Sequence, residues 1–182
     1  MESTMKKTDK ELPVGCWIYY PPHGVGVLTS KGSVSYAGLK INAYTIFLNR
    51  SRLTVHIPVD KAPAAGLQTV EHFATKTNIT QALWKLCESR TINRALWSRR
   101  QREFEGFLVS EDLVNLARII KDTNPEGEST ASYSGRLLLN QASIRLLDVL
   151  SIALEKSHEA TKEYINKHLR EHGKNALQFS TY

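Results

Sequence analysis

The spacing of apolar residues changes once along this chain, and that change limits the folds it can adopt. Between residues 14 and 58, short apolar and β-branched runs alternate with turn residues, a pattern typical of strands. Proline cannot donate a ladder hydrogen bond, so Pro21 and Pro22 predict a turn between the first two strands. Two further strands are predicted over residues 40–48 and 52–57. Strands this short and closely spaced indicate a small barrel or a strongly bent sheet.

From residue 78 onward, apolar residues recur every three or four positions, which predicts amphipathic helices. Asn78 with Gln81 is the predicted capping pair of the first helix, and Ser110 the predicted cap of the third. Trp84 lies off the apolar stripe of the first helix, where it is placed to pack against the strands. We predict five helices, which begin near residues 78, 97, 111, 134 and 157.

These patterns predict an α+β fold, in which a small N-terminal β-barrel precedes a C-terminal helical bundle. The helix over residues 134–154 has the widest apolar face, which marks it as the central helix of the bundle. The expected organisation is a disordered leader, a β domain, a helical domain and a tail, at residues 1–11, 12–70, 77–172 and 173–182. Between the two domains, residues 59–76 are predicted to be mostly connective, with a helical turn near residues 59–62.

Length and composition exclude several classes of protein. A chain of 182 residues can bury roughly 70% of its unfolded surface without disulfides. Cys16 and Cys87 are far apart and form no CxxC pair. No apolar run approaches the roughly 20 residues of a membrane span, and the N-terminal segment lacks the apolar stretch of a secretory signal. We therefore expect a cytoplasmic protein in a reducing setting, with no membrane association and a monomeric state.

Nearly all of the net positive charge lies in residues 90–102 (RTINRALWSRRQR). This stretch holds five arginines and no acidic residue, so its formal charge is +5, while the whole chain carries +6. An arginine-rich segment with an aromatic residue suits a polyanion, because arginine binds phosphate with two donors. Trp97 has two interpretations. It precedes Phe104 by seven residues and could share its packed face, or it could stand exposed at a helix N-terminus and contact nucleic acid.

No combination of residues predicts an enzyme or a metal centre. Gly24 and Gly26 form a GxG, but no helix with a phosphate-loop signature follows. His168 and His172 lie four residues apart on a helix, yet no third ligand lies at a recognisable spacing, so no metal is predicted. Cys87 is on an apolar helical stripe and is expected to belong to the core. We predict no catalytic residues and no cofactor.

The order of several segments resembles the CarD/CdnL family of bacterial transcription regulators. The segments are VGCWIYYPPHGVG, RLTVHIPVDKA, GLQTV, LWSRRQREF and SYSGRLLLNQA, within residues 12–155. The resemblance implies that the β domain is Tudor-like and binds the β subunit of RNA polymerase. It also implies that the helical domain contacts promoter DNA upstream of the melted region and favours the open complex.

The resemblance assigns candidate contacts by position in this sequence. Trp97 would enter the minor groove at the edge of the melted region, and the basic contacts would fall on Arg99 and Arg102. Neighbouring basic residues complete the DNA-binding set, which is Trp97, Arg99, Arg102, Arg100 and Arg94. The predicted polymerase contacts are Arg52, His56, Arg50 and Pro58.

Three segments depart from the family pattern. His56 stands where the family often has arginine, and histidine is neutral over much of the physiological pH range. Gln68 ends a Gly-Leu-Arg segment that here reads Gly66-Leu67-Gln68, and Gly135 replaces an acidic residue. Two other functions remain open: a polymerase-binding module without DNA contact, and an RNA- or ribosome-associated basic protein. An unrecognised hydrolase is a more remote alternative.

Overall fold

The N-terminal part of the chain forms one antiparallel sheet. The computed structural model describes residues 11–89, 96–110, 112–124, 132–177 and 179. The strands are β1 (Trp17–Tyr20), β2 (Gly24–Tyr36), β3 (Leu39–Leu48), β4 (Leu53–Pro58) and β5 (Gln68–Thr69). They pair in the order β4-β3-β2-β1-β5. The predicted strands are thus confirmed, although β2 extends further than the sequence indicated and β5 was not predicted.

Local backbone chemistry sets the connections in this sheet. Gly24 has a φ of +87° where the chain leaves the proline turn and enters β2. Ala37 and Gly38 both have positive φ, at 49° and 80°. Two consecutive positive values are the geometry of the tight hairpin that joins twisted strands. Between Leu28 and Ser30 the pairing of β2 with β3 shifts by a β-bulge, which bends a strand and increases its twist.

The sheet is open rather than a closed barrel. Strands β4 and β5 form its two edges, and they do not pair with each other in the part of the chain that is described. The α+β class is confirmed, but the predicted barrel closure is not observed. Strand β5 has only two residues, both paired with β1, and three strands separate it from β4. The Tudor-like nature of the sheet stays a prediction.

The remainder of the described chain is helical. A short 3₁₀ turn (Val59–Lys61) follows β4, as predicted, and α1 (Val70–Phe73) follows β5. The larger helices are α2 (Lys76–Cys87), α3 (Trp97–Leu108), α4 (Leu113–Thr123), α5 (Tyr133–Ala153) and α6 (His158–Glu171). Among the described residues, no single helix is both long and apolar enough to span a membrane; α5 and α6 pass that test only together, with a bend of 105° between them.

Two predicted caps are wrong by a few residues. Helix α2 begins at Lys76, because the Thr75 side chain accepts a hydrogen bond from the backbone of Asn78. Asn78 therefore lies inside the first turn instead of capping it. Helix α4 is capped by Asp112 and not by Ser110. In both cases two suitable cap residues stand close together, and sequence alone does not choose between them.

Strand β1 is buried on both faces and joins two hydrophobic cores. Ile18 is fully buried in the sheet core, with Leu28 and Ile46. Its neighbour Tyr19 points to the opposite face and belongs to the helical core. The Tyr19 ring stacks on Phe73 of α1, with ring centroids 3.9 Å apart. The two halves of the chain therefore share packed surface and are not independent modules on a linker.

Two arginines, one on helix α5 and one in the β3–β4 turn, hold the sheet against α5. Its Arg145 donates to the carbonyl oxygens of Pro21 at 2.6 Å, Pro22 at 2.9 Å and Leu108 at 2.6 Å. From the sheet side, Arg50 donates to both carboxylate oxygens of Asp148 on α5, at 3.0 and 3.1 Å. These contacts set how the proline turn and the β3–β4 turn lie against the central helix.

Candidate nucleic-acid interface

The N-terminus of α3 lies at the centre of the predicted DNA-binding region. The helix begins at Trp97, its first turn has no acidic residue, and the preceding Leu96 makes no side-chain cap hydrogen bond. Free amides and the helix dipole together favour an anion at such an end. This N-terminus is therefore electrostatically suited to a phosphate group.

Trp97 is half-buried, so the packed interpretation describes much of its surface. Its Nε1–H donates to the Oγ of Ser134 on α5 at 2.8 Å. Its ring also lies against Phe104, two turns further along the same face of α3, with centroids 6.3 Å apart. The indole is thus held between α3 and the first turn of α5, and a part of it remains accessible at the end of the bundle.

Gly135 explains how the indole fits against α5. A Cβ at this position would lie 3.4 Å from Cη2 of Trp97 and 3.2 Å from the Oγ of Ser132, the residue that caps α5. Any longer side chain would compete with the indole for the same space. The departure from the family pattern noted at Gly135 is therefore coupled to the position of Trp97.

The neighbouring arginines divide into two groups. Arg99 and Arg102 are exposed, whereas Arg100 is half-buried. The Arg100 guanidinium lies 5.6 Å from the Trp97 ring centroid and 5.5 Å from that of Phe104. Arg100 thus supports the indole by cation–π contact, while Arg99 and Arg102 are open to a ligand. Arg94, the remaining predicted contact, lies outside the described residues.

Two exposed apolar side chains beside this site were missed by the sequence analysis. Leu96 is 79% exposed and Tyr133 is 78% exposed. Leu96 adjoins Trp97, and Tyr133 adjoins its hydrogen-bond partner Ser134, so the two residues flank the Trp97–Ser134 contact. Each immediately precedes or begins a helix and falls outside the apolar stripe of that helix. A large apolar or aromatic residue at a helix start, outside the apolar stripe of that helix, is the pattern in the sequence that could have identified them.

The predicted polymerase contacts lie on and next to the edge strand β4. Arg52 is exposed in the β3–β4 turn, where its φ is +54°. His56 is exposed on β4, with its Nδ1 3.1 Å from the Oγ1 of Thr45, and Pro58 ends the strand half-buried. Arg50 differs from these three residues because its guanidinium is bound to Asp148. It joins the sheet to α5 within the chain itself.

An apolar row crosses the sheet beside these residues. Trp17 pairs with Val27, Val27 with Phe47, and Phe47 with Thr54, so their side chains share one face. Trp17 is 36% and Phe47 is 38% exposed. The sequence analysis did not single out this row, because the four residues come from four different strands and meet only through the strand register.

The helical half of the chain matches a family model described as CarD, C-terminal domain, over residues 81–166. This match supports membership of the CarD/CdnL family. The likeness inferred from the sequence is thereby confirmed, and it indicates a CarD-like protein associated with transcription. The matched segment contains Trp97, the exposed Arg99 and Arg102, and Gly135. Family membership implies an interaction with RNA polymerase in general terms. A comparison with curated proteins gave no match.

Proposed function

We propose that this protein is a non-enzymatic transcription regulator of the cytoplasm that stabilises the promoter open complex. The sheet would act as a Tudor-like domain that binds the β subunit of RNA polymerase. The end of the helical bundle would contact DNA beside the melted region. The observation that carries the proposal is the uncapped N-terminus of α3, with exposed Arg99 and Arg102, inside the segment that matches the CarD C-terminal domain. The protein acts as a monomer in this scheme.

The DNA contact combines phosphate binding with an apolar wedge. Arg99, Arg102 and the α3 amides hold the backbone, which positions the protein without reading sequence. Trp97 gives up its hydrogen bond to Ser134 when it enters the minor groove, at a cost of about 0.5–1.5 kcal/mol. Unstacking costs less at an already distorted step, and the contacts that the indole gains in the groove offset both costs. Leu96 and Tyr133 reach the groove edge without any rearrangement, because they are exposed already.

The polymerase contact uses the outer edge of β4. An edge strand presents unpaired backbone donors and acceptors, to which a strand of a partner can add. Arg52 and His56 supply polar contacts along this edge, and Trp17 and Phe47 supply apolar area on the adjacent face. Binding to polymerase raises the local concentration of the DNA-binding end, so weak DNA affinity is sufficient.

Open-complex lifetime tests the DNA contact. We expect Trp97→Ala and the double variant Arg99→Ala/Arg102→Ala to shorten the lifetime, while Lys167→Ala, which removes an exposed cation on α6, leaves it unchanged. The double variant should also lower the log–log salt slope of DNA binding by about 2, since each phosphate contact contributes about 0.9. A lifetime unaffected by all of these changes, in folded protein bound to polymerase, would favour the module that binds polymerase without DNA.

Trp97→Phe separates the effect of the aromatic ring from that of the indole N–H, which donates to Ser134. Phenylalanine keeps an aromatic ring against Phe104 but cannot donate to Ser134. If the indole acts as a wedge, Trp97→Phe should retain part of the lifetime that Trp97→Ala loses. If Leu96→Ala and Tyr133→Ala shorten the lifetime and Trp97→Ala does not, the wedge is formed by those exposed residues instead.

Capture of the isolated β subunit tests the sheet. We expect Arg52→Glu and Phe47→Ser to weaken capture while DNA affinity is unchanged, and Lys40→Glu on β3 to have little effect. Equal loss of polymerase and DNA binding in Arg52→Glu would refute the division of labour. Stronger competition by structured RNA than by promoter duplex would instead favour the RNA-associated alternative.

A further inference from the structure

The fold brings a third metal-ligand residue to the histidine pair on α6. His168 and His172 lie one turn apart, and Cys87 is the last residue of α2. One ligand atom from each of the three side chains lies within 4.8 Å of the other two. No metal was predicted from the sequence, because no third ligand lies at a recognisable spacing from the two histidines. The packing of α2 beside α6 removes that reason.

The hydrogen bonds around the two histidines leave nitrogen atoms available. His172 Nδ1 is 2.7 Å from the backbone oxygen of His168, so Nδ1 carries the proton and the lone pair is on Nε2. His168 Nε2 is buried and has no hydrogen-bond partner among the described residues. Buried polar atoms nearly always have a partner, so this nitrogen calls for a ligand that the protein itself does not supply.

Burial acts in opposite senses on the two kinds of ligand, because it favours the neutral, ligating imidazole but also the neutral thiol, which must lose its proton to bind a metal. Burial lowers the pKa of His168, and the neighbouring His172 acts in the same direction. Burial raises the pKa of the Cys87 thiol, and the nearby Lys174 acts in the opposite direction. Trp84 packs edge-on against both imidazoles, at 5.7 and 4.6 Å between centroids, and covers one side of the cluster. That contact also corrects the prediction that Trp84 packs against the strands.

We propose that Cys87, His168 and His172 form a binding site for a zinc-class divalent transition metal. One thiolate and two imidazoles are the soft and borderline donors that zinc prefers, and three protein ligands leave the fourth tetrahedral position to water. Donor atoms on tetrahedral zinc are about 3.3–3.6 Å apart, so the side chains must move together by about 1 Å. The Cys87 proton is released to solvent on binding.

The site would cross-link the C-terminal ends of α2 and α6. Both histidines lie beyond residue 166, where the match to the CarD C-terminal domain ends. Cys87 is inside that match, three residues before the basic stretch of residues 90–102 begins. The metal therefore holds the end of α2 from which the chain continues toward the proposed DNA contact.

Titration of the reduced, metal-free protein with Co²⁺ tests the site. Tetrahedral cobalt bound to a thiolate gives ligand-field bands and a sulfur-to-cobalt charge-transfer band. We expect one equivalent of Co²⁺ to produce both, and Zn²⁺ to displace it. Cys87→Ser should abolish the charge-transfer band, while Cys16→Ser, the other thiol of the chain, should retain it. His168→Gln and His172→Gln should each weaken binding by at least tenfold, unlike His72→Gln on α1.

Thermal unfolding provides a second readout that does not depend on thiolate absorption. Zinc at about 100 times its dissociation constant should raise the Tm by about 5–10 °C in the unmodified chain and in Cys16→Ser, and by little in the three ligand variants. The proposal is overturned if the unmodified chain binds no Co²⁺, or if binding is equal in all variants, as adventitious surface coordination would be. Both readouts are independent of polymerase and DNA.

Discussion

Arg145 is expected to be the most important single polar residue for the junction between the sheet and the helices. Its guanidinium donates to three backbone carbonyls, two of which, on Pro21 and Leu108, belong to buried residues. A hydrogen bond to a charged group contributes about 1.5–3 kcal/mol, and a buried acceptor without a partner is costly. Counting only those two bonds, and discounting for partial exposure, Arg145→Met should lower the free energy of unfolding by about 3–4 kcal/mol.

Urea unfolding followed by circular dichroism measures this loss, and thermal unfolding should show a fall in Tm of about 10 °C. Methionine preserves the apolar stem of the side chain, so the change reports on the guanidinium. Arg118→Met is the matched control. Arg118 is exposed on α4 and pairs with Glu103, a surface pair that contributes less than about 1 kcal/mol.

The reasoning about Arg145 is refuted if Arg145→Met costs less than about 1 kcal/mol, or no more than Arg118→Met. Either result would mean that water replaces the guanidinium at the three carbonyls. A second transition in the Arg145→Met unfolding curve would add information, because it would show that the sheet and the bundle melt separately once this contact is removed.

Three further predictions concern the sheet and its attachment. Gly26→Ala should lower the free energy of unfolding by about 2 kcal/mol or more, because a Cβ at this position would lie 2.6 Å from the backbone oxygen of Phe47. Urea unfolding measures this loss, and a value below about 0.5 kcal/mol would contradict the prediction. Burial raises the pKa of Tyr19, so above about pH 10 the unfolded state loses this proton first, and stability falls as pH rises. Tyr19→Phe, which keeps the ring, should remove that part of the alkaline loss in pH-dependent unfolding, and an identical pH profile would disprove the assignment. Arg50→Met should lower the free energy of unfolding by about 1–2 kcal/mol, because it removes the paired hydrogen bonds to Asp148. Arg52→Met, at an exposed position, should change it by less than about 0.5 kcal/mol. Equal losses in urea unfolding would contradict the structural role assigned to Arg50 alone.

Much of the architecture follows from local sequence. The alternation in β1 to β4, the proline turn and the apolar spacing of α2 to α6 each depend on residues that are close in the chain. Such patterns act over a few residues, so they can be recognised without a fold. Barrel closure could not be predicted in the same way, since it depends on whether two distant edges meet. The exact caps at Thr75 and Asp112 also required coordinates, because alternatives stood within three residues.

The candidate site was predicted only in part. The concentration of arginines and the position of Trp97 are properties of the sequence, and they predict a contact at the N-terminus of α3, which stays a prediction. The half-buried state of Trp97 depends on Ser134 and Gly135, which come from another helix. The role of Arg50 likewise depends on Asp148, which lies 98 residues further along the chain. Long-range partners of this kind leave no periodic signal.

The sequence by itself determined strands β1 to β4, helices α2 to α6, the basic helix end and the family likeness, because each is encoded in short segments. The tertiary structure alone decided that β1 is buried on both faces and that Trp97 packs between two helices. It alone brought Cys87 to His168 and His172. The physical reason is the same in each case: which side chains meet is set by the packing of distant segments, and no local pattern records that packing.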